Sequence, residues 1–201
     1  MVLGSRSEPL SQLEVLVVDC QATAAAPRGH LLEIGLARVG NTVTHLHACL
    51  IALPDGEQIP PAVTRITGIA EHMMRSAVDG RHAWGQLSDQ AASLTQQPAP
   101  TVIHFAQFEQ PFLRTLAVGV FALDVICTRV IARRLLPNLP RCSLRALAGY
   151  FGRAVGALRR SADHVEATAF VWQQLVCLLK RQGVSTWSAL HDWLFAAVAG
   201  R

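Results

Sequence analysis

Asp19 and Gln21 end a run of apolar, β-branched residues in the segment "VVDCQAT" at positions 17–23. Side chains two positions apart in a strand lie on the same face, so the pattern predicts that these two residues point into one space. An aspartate followed by a glutamate at this spacing would form a cation site, because hard divalent cations prefer carboxylate oxygens. Gln21 offers a neutral carboxamide instead, which can touch a cation but brings no negative charge.

The elements around this segment indicate an α/β fold. Residues 14–19 form a predicted buried strand, and residues 31–39 and 42–51 form two further strands joined by a Gly40-Asn41 turn. Helical patterns and short strands alternate after the Pro60-Pro61 pair, with strands at 101–105 and 124–127 and helices at 82–95, 107–116, 128–135, 143–151, 162–180 and 186–197. This order predicts a mixed central sheet with helices on its faces.

The composition fits one globular domain. The chain has 201 residues, of which 51% are hydrophobic and 16% charged. No stretch approaches the roughly 18 consecutive apolar residues that span a bilayer, and the first residues contain too short an apolar run for a signal peptide. We therefore expect a soluble, cytoplasmic protein without a membrane partner.

The cysteines and the net charge constrain the function less. The five cysteines contain no C-x-x-C pair, so they are interpreted as reduced thiols rather than as a disulfide framework or a zinc site. A net charge of +4 permits nucleic-acid binding without establishing it. The densest basic group consists of Arg129, Arg133, Arg134, Arg141 and Arg145.

Several segments together resemble the motifs of the DEDDh 3'-5' exonucleases. "VVDCQATAAAPRGHLLEIGLARV" is similar to the first motif, in which a strand ends in Asp-x-Glu-Thr-x-Gly, and "IPPAVTRITGI" is similar to the nucleotide-contacting segment. "VIHFAQFEQPFL" resembles the second motif, His-Asn-Ala-x-Phe-Asp-x-x-Phe-Leu. "RRSADHVEATAFVW" resembles the third, His-x-Ala-x-x-Asp-Ala-x-Ala-Thr. The resemblance covers residues 13–178 in order and implies a ribonuclease H-like exonuclease fold.

The resemblance also implies a reaction, phosphodiester hydrolysis by two divalent cations held about 4 Å apart. Four acidic residues and one histidine serve this chemistry in the family. The matching positions here are Asp19, Gln21, Glu109, Arg159 and His164. Of these, Asp19 is retained and Glu109 is a conservative change, and both are interpreted as tentative metal ligands.

The other three replacements work against the mechanism. Gln21 removes a charge from the metal site. Arg159 stands at the position of the general base and cannot accept a proton near neutral pH. His164 stands at the last aspartate and binds magnesium poorly, although it ligates zinc or manganese. Asp163 is a substitute carboxylate only if the helix is rotated or begins later, since neighbouring helical residues point about 100° apart.

Structural roles remain open for some of these residues. His164 is interpreted by default as a histidine of the cleft surface, and Arg159 as part of a solvated helix start. His104 is more typical of a packed, hydrogen-bonded residue than of a ligand. By resemblance, the substrate contacts fall on Thr23, Thr67, Gly68, Ile69 and Phe108.

Two functional hypotheses follow. The first is a catalytically impaired pseudo-exonuclease domain that binds single-stranded nucleic acid or assembles with a protein partner or a second copy. The alternative is an active metal-dependent 3'-5' exonuclease with an altered site. No tightly bound cofactor is expected, and Mg²⁺ or Mn²⁺ would bind weakly.

We expect an N-terminal tail at 1–12, an exonuclease-like domain at 13–180 and a helical extension at 181–201. The extension carries Trp187, Leu190, Trp193 and Leu194 at helical spacing. This apolar side either covers the domain's own core or docks onto another protein.

Overall fold

A five-stranded mixed sheet forms the centre of the molecule. The computed structural model describes residues 7–94, 97–118 and 121–196. The strand order is β3-β2-β1-β4-β5, and the bounds are β1 Val15–Ala22, β2 Leu31–Val39, β3 Val43–Leu50, β4 Ala99–Ile103 and β5 Leu123–Cys127. Strands β1, β2 and β3 pair antiparallel, whereas β4 and β5 continue the sheet parallel to β1. The predicted α/β class with a mixed sheet is confirmed.

Seven α-helices and one 3₁₀ helix at Glu71–Ser76 complete the described part of the chain. Their bounds are α1 Pro61–Thr67, α2 Gly80–Ala92, α3 Ala106–Leu116, α4 Thr128–Leu135, α5 Leu144–Tyr150, α6 Ser161–Arg181 and α7 Trp187–Ala196. The predicted hairpin and helices are present, with ends that shift by a few residues. Some predicted segments lie partly outside the described residues: residue 95 of the helix at 82–95, residue 197 of the helix at 186–197, residues 1–6 of the tail and residues 197–201 of the extension.

Alternation along β1 divides its side chains between two cores. Val15 and Val17 belong to a cluster with residues of α4, α5, α6 and α7. Leu16, Val18 and Cys20 face the opposite side, where they pack with α2 and α3. Because side chains alternate in a strand, Asp19 continues the face of Val15 and Val17 and comes to lie beside the start of α6.

An ion pair and a close backbone contact fix the start of α6 against β2. The buried carboxylate of Glu33 accepts a hydrogen bond from the Arg160 Nε, at 2.9 Å, and from the Ser161 backbone N–H, at 2.8 Å. A Cβ atom at Gly35 would lie only 2.7 Å from the Ser161 Cβ, so this approach requires glycine. The contact sets the position of the first turn of α6, which carries His164.

The C-terminal helix α7 belongs to the same core. Trp187 is fully buried, and its indole Nε1 donates to Asp124 of β5 at 2.9 Å. Its ring meets that of Trp172 edge to face at a centroid distance of 6.0 Å. Arg134 of α4 donates to the Trp193 carbonyl oxygen. Of the two alternatives for this helix, the structure shows the one in which it covers the domain's own core.

No helix among the described residues is long and apolar enough to cross a membrane.

Candidate nucleic-acid site

A cleft of about 1040 Å³ opens where the parallel strands β1 and β4 end. Asp19, Gln21, Phe108, Glu109 and His164 line it, so the structure brings together five of the predicted site residues. The wall on the side of α4 and α5 is formed by basic and apolar residues: Arg129, Arg133, Leu136, Pro137, Leu139, Pro140, Arg141, Leu144 and Arg145.

Protein donors engage both carboxylate oxygens of Asp19. The Gln21 amide Nε2 donates to Oδ2 at 2.9 Å, and the His164 Nδ1 lies 3.2 Å from Oδ1. Asp19 is only 4% exposed, so these contacts replace water at a buried carboxylate. The carboxamide of Gln21 thus has a local role, as a donor to the aspartate on the same strand face.

His164 faces a hydrogen-bond acceptor at each ring nitrogen. Its Nε2 lies 3.2 Å from the Leu158 carbonyl oxygen, and its Nδ1 faces Asp19. An imidazole that donates from both nitrogens is protonated. Burial lowers the pKa of His164, but the hydrogen bond and charge of Asp19, together with the Leu158 carbonyl and Asp163, outweigh burial and raise the pKa above its ordinary value.

Glu109 is the second acidic side chain among the residues that line the cleft in the described part of the chain. It lies on the first turn of α3, is 3% exposed, and its Oε2 has no hydrogen-bond partner among the described residues. Burial raises the pKa of Glu109 well above its ordinary value, and the negative charge of Asp19 raises it further. Both effects favour the neutral form of the carboxyl group.

These donors do not fit a pair of magnesium ions. Mg²⁺ takes oxygen ligands and needs nearby negative charge. Here protein donors already contact both oxygens of Asp19, and the raised pKa of Glu109 disfavours its charged form. Within residues 7–94, 97–118 and 121–196, no group of three or more His, Cys, Asp or Glu side chains is arranged to hold a metal ion. Among the described cleft residues, the Glu109 Oε2, which has no hydrogen-bond partner there, is the feature that would suit a single cation.

Asp163 and Arg159 lie outside this cluster. The Asp163 carboxylate accepts from the backbone N–H groups of Arg160, at 3.1 Å, and Arg159, at 3.3 Å, so it caps the start of α6 instead of lining the cleft. The exposed Arg159 side chain runs close to Gly68, the residue that ends α1 with φ +73°. At the position matched to the general base, this side chain does not line the cleft.

Four of the predicted substrate contacts also lie away from the cleft. Thr23 closes its own loop, because its Oγ1 accepts from the His30 N–H at 2.8 Å. The Thr67 hydroxyl donates to the Val63 carbonyl oxygen within α1, and Gly68 is the C-cap of that helix. Ile69 is buried among apolar side chains. Phe108 alone of the five lines the cleft.

None of the four arginines that line the cleft has an acidic partner among the described residues. Arg145 donates to the Val155 and Gly156 carbonyl oxygens, which leaves Arg129, Arg133 and Arg141 as the arginines available to a ligand. The sequence had marked this basic group without assigning it a place. The arginines begin directly after β5, at the sheet edge where the parallel strands end. This position would have predicted that the basic group lies at the cleft.

The comparisons with solved structures identify the fold. The nuclease domain of 3'hExo, described as a DEDDh family member and bound to rAMP, superposes with a TM-score of 0.70 at 12% identity, over 83% of this chain and 92% of that one. The chain has the DEDDh exonuclease fold. Exonuclease I of E. coli, in complex with a dT13 oligonucleotide, shares this exonuclease fold at a TM-score of 0.72 and 14% identity, over 92% of this chain and 44% of that one. The predicted exonuclease fold is thus confirmed.

One curated relative supports the same assignment. A protein of Mycobacterium tuberculosis (strain CDC 1551 / Oshkosh), provisionally named a bifunctional exonuclease/endonuclease, is 30% identical over 199 residues. The match takes in 92% of this chain but spans only 30% of the relative's length. No protein-family model matches the chain.

Proposed function

We propose that this exonuclease-fold domain binds single-stranded nucleic acid in its cleft and hydrolyses it slowly or not at all. The observation that carries the proposal is the engagement of both Asp19 oxygens by Gln21 and His164. A cation approaching Asp19 would have to displace both donors, and the raised pKa of His164 favours the charged imidazolium, which would repel that cation.

The basic wall of the cleft supports the binding half of the proposal. Arginines suit phosphate because the guanidinium offers several N–H donors in one plane. Arg129, Arg133 and Arg141 lack acidic partners in the described part of the chain, so they can contact phosphates without first breaking an ion pair. Two structures with this fold were obtained with nucleic acid, exonuclease I with dT13 and exonuclease X with 5' overhanging duplex DNA.

Salt dependence tests the binding half. The affinity for a labelled oligonucleotide should fall with salt, with a log-log slope of about −0.7 for each phosphate contacted. Arg133→Gln should weaken binding and reduce the magnitude of that slope by about one contact. Arg153→Gln removes an equal charge from an exposed residue over Phe170, outside the cleft lining, and should leave the slope unchanged. Equal effects of the two variants would contradict binding in the cleft.

A cleavage assay tests the catalytic half. Purified protein with Mg²⁺ should release mononucleotides from single-stranded DNA or RNA at a rate close to that of its own Asp19→Ala variant. Robust Mg²⁺-dependent release that Asp19→Ala abolishes would overturn this half of the proposal.

A second candidate is an active nuclease with an altered metal site. It is favoured by one observation, the buried Oε2 of Glu109 without a partner among the described residues, beside Asp19. A single cation there would be held by these two residues, and it would supply Lewis-acid activation of a phosphodiester. Activity that requires Mn²⁺ and is lost in Glu109→Gln would favour this candidate.

A further inference from the structure

Phe105 is an exposed aromatic residue in the lining of the cleft. It retains 40% exposure although it follows a buried strand, and it occupies the N-cap position of α3. No side chain caps this helix start, where Asn, Asp or Ser is strongly favoured. Phe105 therefore provides no N-cap hydrogen bond to the helix and exposes an apolar ring to solvent. This combination indicates a functional role.

The surroundings of Phe105 are aromatic and cationic. The Phe108 ring lies almost parallel to it, at a centroid distance of 6.2 Å and an interplanar angle of 8°. The guanidinium carbon of Arg129 lies 4.6 Å from the centroid of the Phe105 ring. Arg129 has no acidic partner among the described residues, so its charge is not neutralised by a carboxylate and is available to the ring and to a ligand in the cleft.

A flat exposed ring beside arginines matches the two parts of a nucleotide. A base offers a π-face that stacks on an aromatic side chain, and the adjoining phosphate offers oxygens to guanidinium groups. An acidic peptide would satisfy the arginines but has no need for the ring. The combination therefore favours an unpaired nucleobase as the ligand at Phe105.

We propose that Phe105 is a stacking platform for an unpaired base of a single strand, with Arg129 and Arg133 placed for the adjoining phosphates. The inference rests on the proposed function, since it names what the cleft recognises. It predicts binding that depends on bases as well as on backbone charge.

The test compares a labelled oligodeoxythymidine of about 12 nucleotides with an abasic strand of equal length, by fluorescence anisotropy. For the unmodified protein, the abasic strand should bind at least about five-fold more weakly. Phe105→Asn should weaken binding of the thymidine strand to a similar extent and bind the two strands equally. The same variant should raise Tm by about 2–4 °C, because asparagine restores an N-cap.

Two further variants of Phe105 distinguish stacking on its ring from apolar contact. Phe105→Tyr retains a ring and should retain affinity, while Phe105→Leu retains apolar volume without a π-face and should lose it. Unchanged thymidine binding by folded Phe105→Asn or Phe105→Leu would overturn the stacking role while leaving the proposed function intact. Equal affinity for an acidic peptide would also overturn it, since charge alone would then explain binding. If no oligonucleotide binds at low salt, both proposals fall.

Discussion

At the residue scale, Gln21 and His164 have complementary roles beside Asp19. Each supplies an N–H group to a different oxygen of Asp19. An acidic residue at either position would instead add a negative charge beside a buried carboxylate, which is unfavourable without a cation. The two side chains therefore act together as hydrogen-bond donors to Asp19.

His104 gives a residue-level prediction about the electrostatics of the cleft. Burial and the nearby Arg129 cation lower the pKa of His104 to about 4. Its Nδ1 lies 2.9 Å from the Thr128 hydroxyl. We expect NMR titration of the ring to show this low value, and Arg129→Gln to raise the pKa by removing one of its causes.

The same shift sets the sign of a pH effect on stability. His104 is neutral when folded down to a pH of about 4, whereas its unfolded pKa is about 6.5. Its contribution to the free energy of unfolding is therefore fully present above about pH 6.5 and is lost as the pH falls from there to about 4. Urea unfolding at several pH values should show a smaller acid loss in His104→Gln than in the unmodified protein. An identical or larger loss would contradict the low pKa.

At the scale of elements, the start of α6 is held by one buried carboxylate. Glu33→Ala would leave the Ser161 N–H and part of the Arg160 guanidinium without partners. We expect a loss of about 3 kcal/mol of unfolding free energy, discounted for the partial exposure of Arg160. Chemical denaturation measures this loss.

The matched control is the partly exposed ion pair between Glu14 and Arg38. Glu14→Ala should cost about 0–1 kcal/mol, because such pairs near the surface contribute little. If Glu33→Ala costs no more than Glu14→Ala, the anchoring role of Glu33 is wrong.

The elements were predictable from the sequence because their signals are local. The Gly40-Asn41 turn between two predicted strands indicated the β2–β3 hairpin, and β2 and α4 were predicted at their observed bounds. The contact of Glu33 with Arg160 was not predictable, since 127 positions separate the two residues and no local pattern marks the pair.

The site was predictable only in part. The spacing of Asp19 and Gln21 placed both on one face, and the motif order brought Glu109 and His164 near them. The capping role of Asp163 carried a local signal, an acidic residue in the first turn of a helix, which favours the N-terminus over the cleft. The donor role of Gln21 is a local contact two positions along the strand, whereas the contact of His164 with Asp19 is tertiary and needed the structure.

At the scale of the whole molecule, α7 completes the main core. Trp187 is 0% exposed and hydrogen-bonded, so Trp187→Ala should cost about 3–5 kcal/mol through loss of buried surface and a cavity. Phe195 lies on the same helix but is 68% exposed, and Phe195→Ala should change the unfolding free energy by less than about 0.5 kcal/mol. Thermal and urea unfolding distinguish the two, and equal small losses would show that α7 is not required by the fold.

On the proposed function, His164 supplies the positive charge beside Asp19, and the pocket binds no divalent metal ion. Isothermal titration calorimetry with Mg²⁺ and Mn²⁺ tests it directly. The unmodified protein should give no saturable binding, whereas the double variant Gln21→Glu, His164→Asp should gain a site that Asp19→Ala removes again. Saturable binding by the unmodified protein, abolished by Asp19→Ala, would instead show that Asp19 is a metal ligand.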